Sequence, residues 1–188
     1  FRKSKSKTTY PHRYEGFRWN GASFAGKTLF VHCEQGLGDT IQFVRYLPMV
    51  KERGGTVIFD IMEPLYGLLQ GFPGVDNLSR LSYEKKPDIR FDYYVPLMSL
   101  PGMFGTNIET VPSDVPYIRA DSKKVEYWRK LLKGNGLKVG LVWSGKFTDV
   151  KRSCPLRFFS PLAGIPGIEL YGLQKGEAAQ QVCELPEN

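Results

Sequence analysis

The stretch that decides the fold of this chain is Lys27-Thr-Leu-Phe-Val-His-Cys-Glu-Gln-Gly-Leu-Gly-Asp-Thr-Ile-Gln-Phe-Val-Arg-Tyr46. Its first part, Thr28 to Cys33, is β-branched and aromatic and predicts a buried strand. Gly36 and Gly38 interrupt that run, and from Asp39 onward apolar residues recur every three or four positions, as on one face of a helix. The stretch therefore predicts a strand, a glycine turn and a helix whose first residue is a carboxylate.

Asp39 has two interpretations at this position. As an N-cap, its side chain would accept an N–H of the first turn and lie at the positive end of the helix dipole. In an open α/β sheet the same place, outside the carboxyl ends of the strands, is where ligands bind. The glycines do not form a dinucleotide fingerprint, because Ile41 stands where the third glycine would be. The spacing indicates a tight turn and a close backbone approach.

Strand and helix patterns alternate along the rest of the chain. Strands are predicted at 56–62, 78–81, 91–95, 138–143 and 168–173, and helices from 63, at 121–132, at 155–163 and at 177–183. Such alternation is typical of parallel sheets with right-handed crossovers, so we predict an α/β fold with a Rossmann-like parallel sheet. Five aromatic residues of the first 26 predict that this lead-in packs on the domain: Tyr10, Tyr14, Phe17, Trp19 and Phe24.

Composition narrows the class of protein. The chain has 188 residues, 41% of them hydrophobic, and no run near the roughly 18 apolar residues of a membrane-spanning helix. Three cysteines without C-x-x-C spacing argue against a disulfide framework or a metal site and favour a reducing cytoplasm. Five of the seven net positive charges fall before Glu15, so the charge does not predict nucleic-acid binding by the domain.

Several short motifs, in order along the chain, resemble a known family. They are Trp19-Asn-Gly21, Gly26-Lys-Thr-Leu29, Glu34-Gln-Gly-Leu-Gly-Asp-Thr-Ile-Gln-Phe43 with Arg45-Tyr46, Phe91-Asp-Tyr-Tyr-Val-Pro-Leu-Met-Ser-Leu-Pro101, Pro116-Tyr-Ile118, Lys138-Val-Gly-Leu-Val-Trp-Ser-Gly145 and Leu173-Gln-Lys-Gly176. Together they resemble the glycosyltransferase-like domain of bacterial tetratricopeptide-repeat proteins, which is similar to the heptosyltransferases. No 34-residue helical repeat occurs in this chain.

The resemblance implies the two facing Rossmann-like domains of the GT-B fold. It divides the chain into a basic and aromatic lead-in (1–19), an acceptor-side domain (20–136) and the start of a donor-side domain (137–188). The last segment is much shorter than a complete donor domain, so the resemblance predicts an incomplete second α/β unit. An exposed sheet edge there could be covered by a second copy of the chain, which makes a homodimer possible.

The resemblance also implies roles for individual residues. Asp39 matches the aspartate proposed as the base that takes the acceptor's proton, and Glu34 and Gln35 flank the Gly36–Gly38 turn as acceptor contacts. The donor phosphates and base would be bound by the loops after the last two strands: Ser144, Gly145, Lys146, Lys151, Arg152, Gln174 and Lys175. The alternative for the loop 144–152 is a solvated basic loop. No Asp-x-Asp motif occurs, so a metal-independent mechanism without a cofactor is expected.

The expected function is inverting transfer of a sugar from a nucleotide-sugar to a hydroxyl of a glycan or protein. The alternative, favoured by the short donor-side segment, is a non-catalytic glycan- or protein-binding module derived from the acceptor half of such an enzyme. The expected partners are a nucleotide-sugar donor and a glycan or protein acceptor.

Overall fold

A computed structural model of the chain describes residues 14, 16–34, 36–82, 88–145 and 152–184. The chain divides into two compact units, Phe1–Ala120 and Asp121–Asn188. The resemblance places the start of the second domain at 137, whereas the second compact unit begins at 121, so the two divisions differ over the segment 121–136.

The first unit contains a five-stranded sheet in which every pairing is parallel. Its strands are β1 (Phe17–Arg18), β2 (Thr28–His32), β3 (Thr56–Ile61), β4 (Asn77–Arg80) and β5 (Tyr93–Pro96), in the spatial order β1-β5-β2-β3-β4. The prediction of an α/β fold with a Rossmann-like parallel sheet is therefore confirmed.

Helices connect the strands on one side of this sheet. Between β2 and β3 lie α1 (Leu37–Phe43), a 3-10 turn (Val44–Tyr46) and α2 (Leu47–Lys51), and between β3 and β4 lies α3 (Glu63–Leu69). Both connections step in the same direction across the sheet, and right-handed crossovers then put them on the same face. After β5 the chain forms a 3-10 turn (Leu97–Ser99) and α4 (Leu100–Met103).

The core of the first unit fills the space between the sheet and these helices. Alternate residues of β2 and β3 face it, as the period of two in a strand requires, and they are fully or almost fully buried. They pack with apolar residues of α2, α3 and the segment after β5: Leu29, Val31, Cys33, Val57, Phe59, Ile61, Leu47, Val50, Leu65, Leu69, Leu97 and Leu100.

The opposite face of the sheet carries aromatic and ionisable side chains. The Tyr14 ring lies 5.1 Å from that of Phe30 and 4.8 Å from that of His32, between centroids. Of the lead-in aromatics, Trp19 and Phe24 are buried as predicted, but the prediction for Phe17 is wrong, because its side chain is 77% exposed on the edge strand β1. Tyr10 lies outside the described residues.

The second unit contains a two-stranded parallel sheet among its described residues. It consists of β6 (Leu137–Leu141) and β7 (Ile168–Gly172), preceded by α5 (Ser122–Leu131). Asp121 caps α5 by accepting the N–H of Lys124 at 2.9 Å. The prediction of a dimer through this unit stays a prediction.

The two segments predicted as the last helices are 3-10 helices instead. They span Leu156–Gly164 and Glu177–Glu184. In the first of them Pro161 supplies no backbone N–H, which weakens the case for a regular α-helix there. Within the described residues, no helix is both long and apolar enough to cross a membrane.

A carboxylate clamp fixes the amino-terminal edge of the main sheet. Lys51 Nζ donates to both carboxylate oxygens of Asp76, at 2.8 and 2.6 Å, and the N–H of Val57 donates to Oδ2 at 2.7 Å. Burial opposes ionisation of this carboxyl, but the bonds from Lys51 and Val57 outweigh burial and lower its pKa.

This clamp predicts a specific dependence of stability on pH. Because the pKa of Asp76 is lower in the folded chain, its contribution to the unfolding free energy is present above about pH 4 and is lost as the pH falls through the folded value. We expect Asp76→Asn to make the midpoint of thermal unfolding less dependent on pH in this acid range. Thermal melts from pH 6 to pH 3 measure it.

Asp88→Asn is the matched control for this measurement. Asp88 is exposed, and no described residue bonds to its carboxylate. The clamp would be refuted as the source of acid sensitivity if both variants melted with the same pH profile as the parent.

Candidate functional site

The strand order reverses between β2 and β5. Strands β3 and β4 are added on one side of β2, whereas β5, which follows them in sequence, pairs with the other side of β2. In open α/β sheets, ligands bind outside the carboxyl ends of the strands at such a reversal. The segments that leave β2 and β5 at this edge are the glycine turn with α1 and the turn that begins at Leu97.

Asp39 lies at this edge, but the prediction that it is the N-cap and first residue of the helix is wrong. The helix begins at Leu37 with Gly36 as its N-cap, so Asp39 is the third helical residue. Its Oδ2 accepts the N–H of Gly36 at 3.1 Å, which is one of the two bonds of a capping box; Gly36 has no side chain to make the other. Oδ2 is thus used in the local structure, while no described residue bonds Oδ1. The cap and a ligand can therefore use different oxygens of one carboxylate.

The turn itself is held by the backbone and leaves space outside. The carbonyl of Gly36 accepts both the N–H of Thr40 at 3.0 Å and its hydroxyl at 3.1 Å. Neither Gly36 nor Gly38 has a positive φ, so the backbone conformation does not require glycine here. A Cβ at Gly38 would have no described atom within 4 Å. The absence of a side chain at this position leaves room for another molecule beside the turn.

Glu34 and Gln35 are the two residues predicted to flank the turn as acceptor contacts. Glu34 is the second residue after β2 and is buried, with 7% of its surface exposed. Gln35 lies outside the described residues. The site around Asp39 is thus open to solvent at Gly36 and Gly38 and closed at Glu34.

Ionisable groups are also buried beneath this edge, on the face away from the helices. His32 of β2 lies in register with Asp60 of β3, and both are almost fully buried. His32, at 2% exposed, is a core residue of the sheet. Burial, then the charge of Asp60 and a hydrogen bond to it, raise the pKa of the Tyr14 hydroxyl. Tyr14 is therefore a neutral phenol at physiological pH.

Cys33 cannot serve as a nucleophile in this arrangement. Burial raises the pKa of its thiol to about 12, and the nearby charge of Asp60 adds to the effect. Since the thiolate is the reactive form, a thiol with this pKa is inert at neutral pH. Cys33 is accordingly a core residue.

In the second unit, the predicted donor loop begins at the end of β6. The N–H groups of Trp143 and Ser144 both donate to Oε1 of Gln174, at 3.1 and 2.9 Å. Nε2 of the same amide donates to the carbonyl of Lys175 at 3.0 Å. Gln174 therefore holds the ends of β6 and β7 together, and a ligand that used these two N–H groups would have to displace its carboxamide.

Ser153 completes this local structure, and the sequence did not single it out. Its Oγ accepts the N–H of Gly145 at 3.2 Å and lies 3.3 Å from Oγ of Ser144. Three successive N–H groups, from Trp143 to Gly145, thus point at side-chain oxygens. In the sequence, the side-chain hydroxyl is the only property of Ser153 that could have pointed to this role.

The cationic part of the predicted donor site is only partly described. Arg152 and Lys175 are exposed, on the loops after β6 and β7. Lys146 and Lys151 lie outside the described residues. Among the residues described, no group of three His, Cys, Asp or Glu side chains could hold a metal ion.

Comparison with known proteins gives a distant relative. Protein FlbA of Caulobacter vibrioides is 28% identical to this chain over 190 residues, which cover 89% of this chain and 32% of FlbA. The chain thus spans about a third of the length of this curated relative. No protein-family model matches the chain, and no solved structure matches it.

Proposed function

We propose that this chain belongs to a glycosyltransferase similar to the heptosyltransferases and supplies its acceptor-side domain. The observation that supports this most is the carboxylate of Asp39 beside an open glycine turn, at the reversal of strand order. Its Oδ2 accepts the N–H of Gly36 at the start of the helix, and its Oδ1 can accept a proton from a ligand.

The proposed step is a direct displacement at the anomeric carbon of a nucleotide-sugar. The acceptor hydroxyl gives its proton to Oδ1 of Asp39 while its oxygen forms the new bond to the anomeric carbon. The bond from that carbon to the nucleoside diphosphate breaks, and the diphosphate leaves with the electron pair. The configuration at the anomeric carbon is inverted.

A nucleotide-sugar donor needs positive charge and N–H donors to bind its diphosphate. The loop from Ser144 to Arg152, with Lys175, offers cations and the successive N–H groups that Gln174 and Ser153 now occupy. Backbone N–H groups that converge on one point are suited to phosphate oxygens. We assign this loop to the donor.

A second candidate is a binding module without transfer activity. The observation that favours it is the small core of the second unit, where Trp143 and Leu156 are the buried hydrophobic residues among those described. A two-stranded sheet that buries so little apolar area is only marginally stable by itself, so it would hold a donor site weakly in place.

The experiment that separates the two is a donor-consumption assay. The complete protein, of which this chain is proposed to be the acceptor-side part, is incubated with UDP-, GDP-, ADP- and dTDP-linked sugars, and the released nucleoside diphosphate is measured against a protein-free control. A transferase consumes one of these donors, with water as a slow acceptor if no other is present. Failure to bind or consume any of the four would overturn the proposal and leave the binding module.

A further inference from the structure

A pocket opens between α1 and the segment that follows β5. Its volume is ≈ 360 Å³, and its lining includes Gln42, Phe43, Tyr46, Thr106, Asn107 and Ile108. These two walls leave the sheet from β2 and β5, the strands between which the strand order reverses. The pocket therefore lies in the region where an open α/β sheet binds ligands.

The pocket is on the same face of α1 as Asp39. Gln42 and Phe43 stand three and four residues after Asp39, and residues at these spacings lie above one another on a helix. The rise between them is about 4.5–6 Å. A molecule held by Gln42 and Phe43 could thus place one of its groups at Asp39.

The outer wall is fixed by Arg45. Its Nε donates to the carbonyl of Gln42 at 2.9 Å, Nη1 to that of Pro112 at 3.0 Å and Nη2 to the Tyr117 hydroxyl at 2.9 Å. The Tyr117 hydroxyl donates in turn to the carbonyl of Ile41 at 3.1 Å. These bonds tie the loop to α1, so the pocket exists before any ligand arrives.

The wall formed by residues 106–111 is ordered by hydrogen bonds of the Asn107 and Thr110 side chains. Oδ1 of Asn107 accepts the N–H groups of Glu109 and Thr110, at 2.9 and 3.0 Å. Within the described residues, Nδ2 of Asn107 and the whole carboxamide of Gln42 have no hydrogen-bond partner. These groups are available to a ligand.

The chemistry of the lining selects the ligand class. The available polar groups are neutral amides, which offer donors and acceptors of the kind that pair with hydroxyl groups. The Phe43 ring adds an apolar surface. The Arg45 guanidinium also lines the pocket and keeps its charge, with three of its five N–H groups bonded to neutral oxygens. The combination of neutral amides and an aromatic ring face fits a polyhydroxylated ring better than an extended peptide.

We propose that this pocket binds the acceptor and that the acceptor is a saccharide. The assignment of acceptor rests on the proposed function, whereas the binding of a saccharide can be tested without it. Gln42 and Asn107 would hold the sugar hydroxyls, and the hydroxyl nearest the start of α1 would reach Asp39.

The test is a titration of the chain with methyl glycosides of glucose, galactose, mannose and N-acetylglucosamine, followed by the backbone amide NMR signals. We expect one of them to shift the signals of residues 42, 43 and 107. Gln42→Ala should weaken that binding about 2- to 10-fold through the lost hydrogen bonds. Gln70→Ala, an exposed glutamine at the end of α3, is the matched control and should leave binding unchanged.

Three results would overturn the inference. They are no shift with any of the four glycosides, equal binding by Gln42→Ala and the parent, or shifts of the same signals by a serine-containing peptide in place of the sugars. Because this titration needs neither donor nor turnover, its failure is distinct from a failure of the donor-consumption assay.

Discussion

Asp39→Asn should lower the rate of donor consumption about 10²- to 10⁴-fold while leaving the fold intact. Asparagine keeps an oxygen that can accept the N–H of Gly36, the bond now made by Oδ2 at 3.1 Å. It cannot take a proton from an acceptor hydroxyl. Rates in the donor-consumption assay, together with thermal unfolding of each variant, measure the two effects separately.

Two further variants control this experiment. Asp39→Ala should lose the same activity and also about 0.5–1.5 kcal/mol of unfolding free energy, since the bond to Gly36 is gone. Asp114→Asn, at an exposed aspartate of the same unit, should change neither quantity. Equal rates for Asp39→Asn and the parent would leave Asp39 with a purely structural role, the bond to the N–H of Gly36.

Phe59→Ala should cost about 3–5 kcal/mol of unfolding free energy. Phe59 is fully buried at the middle of β3, where it is in register with Val31 of β2 and Leu78 of β4. Removing its ring leaves a cavity on the helix-covered face of the sheet. Such a loss is a large part of the roughly 5–15 kcal/mol that stabilises an ordinary domain.

The matched control is Phe17→Ala, which removes the same ring from a position that is 77% exposed. It should change the unfolding free energy by no more than about 0.5 kcal/mol. Chemical denaturation followed by circular dichroism measures both. A loss below about 1 kcal/mol for Phe59→Ala would contradict the described core.

The strands were predictable because their residues are locally distinctive. The β-branched and aromatic runs from Thr28 and from Thr56 form β2 and β3 within one residue of the predicted ends. Their burial on both faces requires an apolar run, and such a run is visible in one sequence. The same holds for the parallel arrangement, which follows from the alternation of strands with helices.

The start of α1 was not predictable in this way. Gly36, Leu37 and Gly38 suggest a turn, since glycine has a low helix propensity, yet Leu37 and Gly38 belong to the helix. The capping bond from Asp39 to Gly36 compensates for that low propensity. The position of Asp39 in the fold was therefore predicted correctly to within one turn, and its local role was not.

Features that depend on residues distant in sequence escaped prediction altogether. The hydroxyl of Ser153 accepts the N–H of Gly145, eight residues earlier in the chain. The pocket beside α1 is lined by residues that lie between positions 42 and 111. The partner of Asp92 could not be predicted either. Its carboxylate accepts the N–H of Thr28 at 2.8 Å. This bond lies at the amino end of the sheet, away from the proposed site. No local pattern in the sequence specifies these partners.

The pairing of β1 with β5 has a consequence for the order in which this chain folds during synthesis. Phe17 pairs with Tyr93, so β1 lies 76 positions before the strand that is its neighbour among the described residues. At an elongation rate of about 5–20 residues per second, β1 leaves the ribosome about 4–15 s before β5 does. Strands β2, β3 and β4 can pair in the meantime, because each follows the last through a short helical connection. Of the five described strands of this sheet, the one made first is therefore the last to be paired.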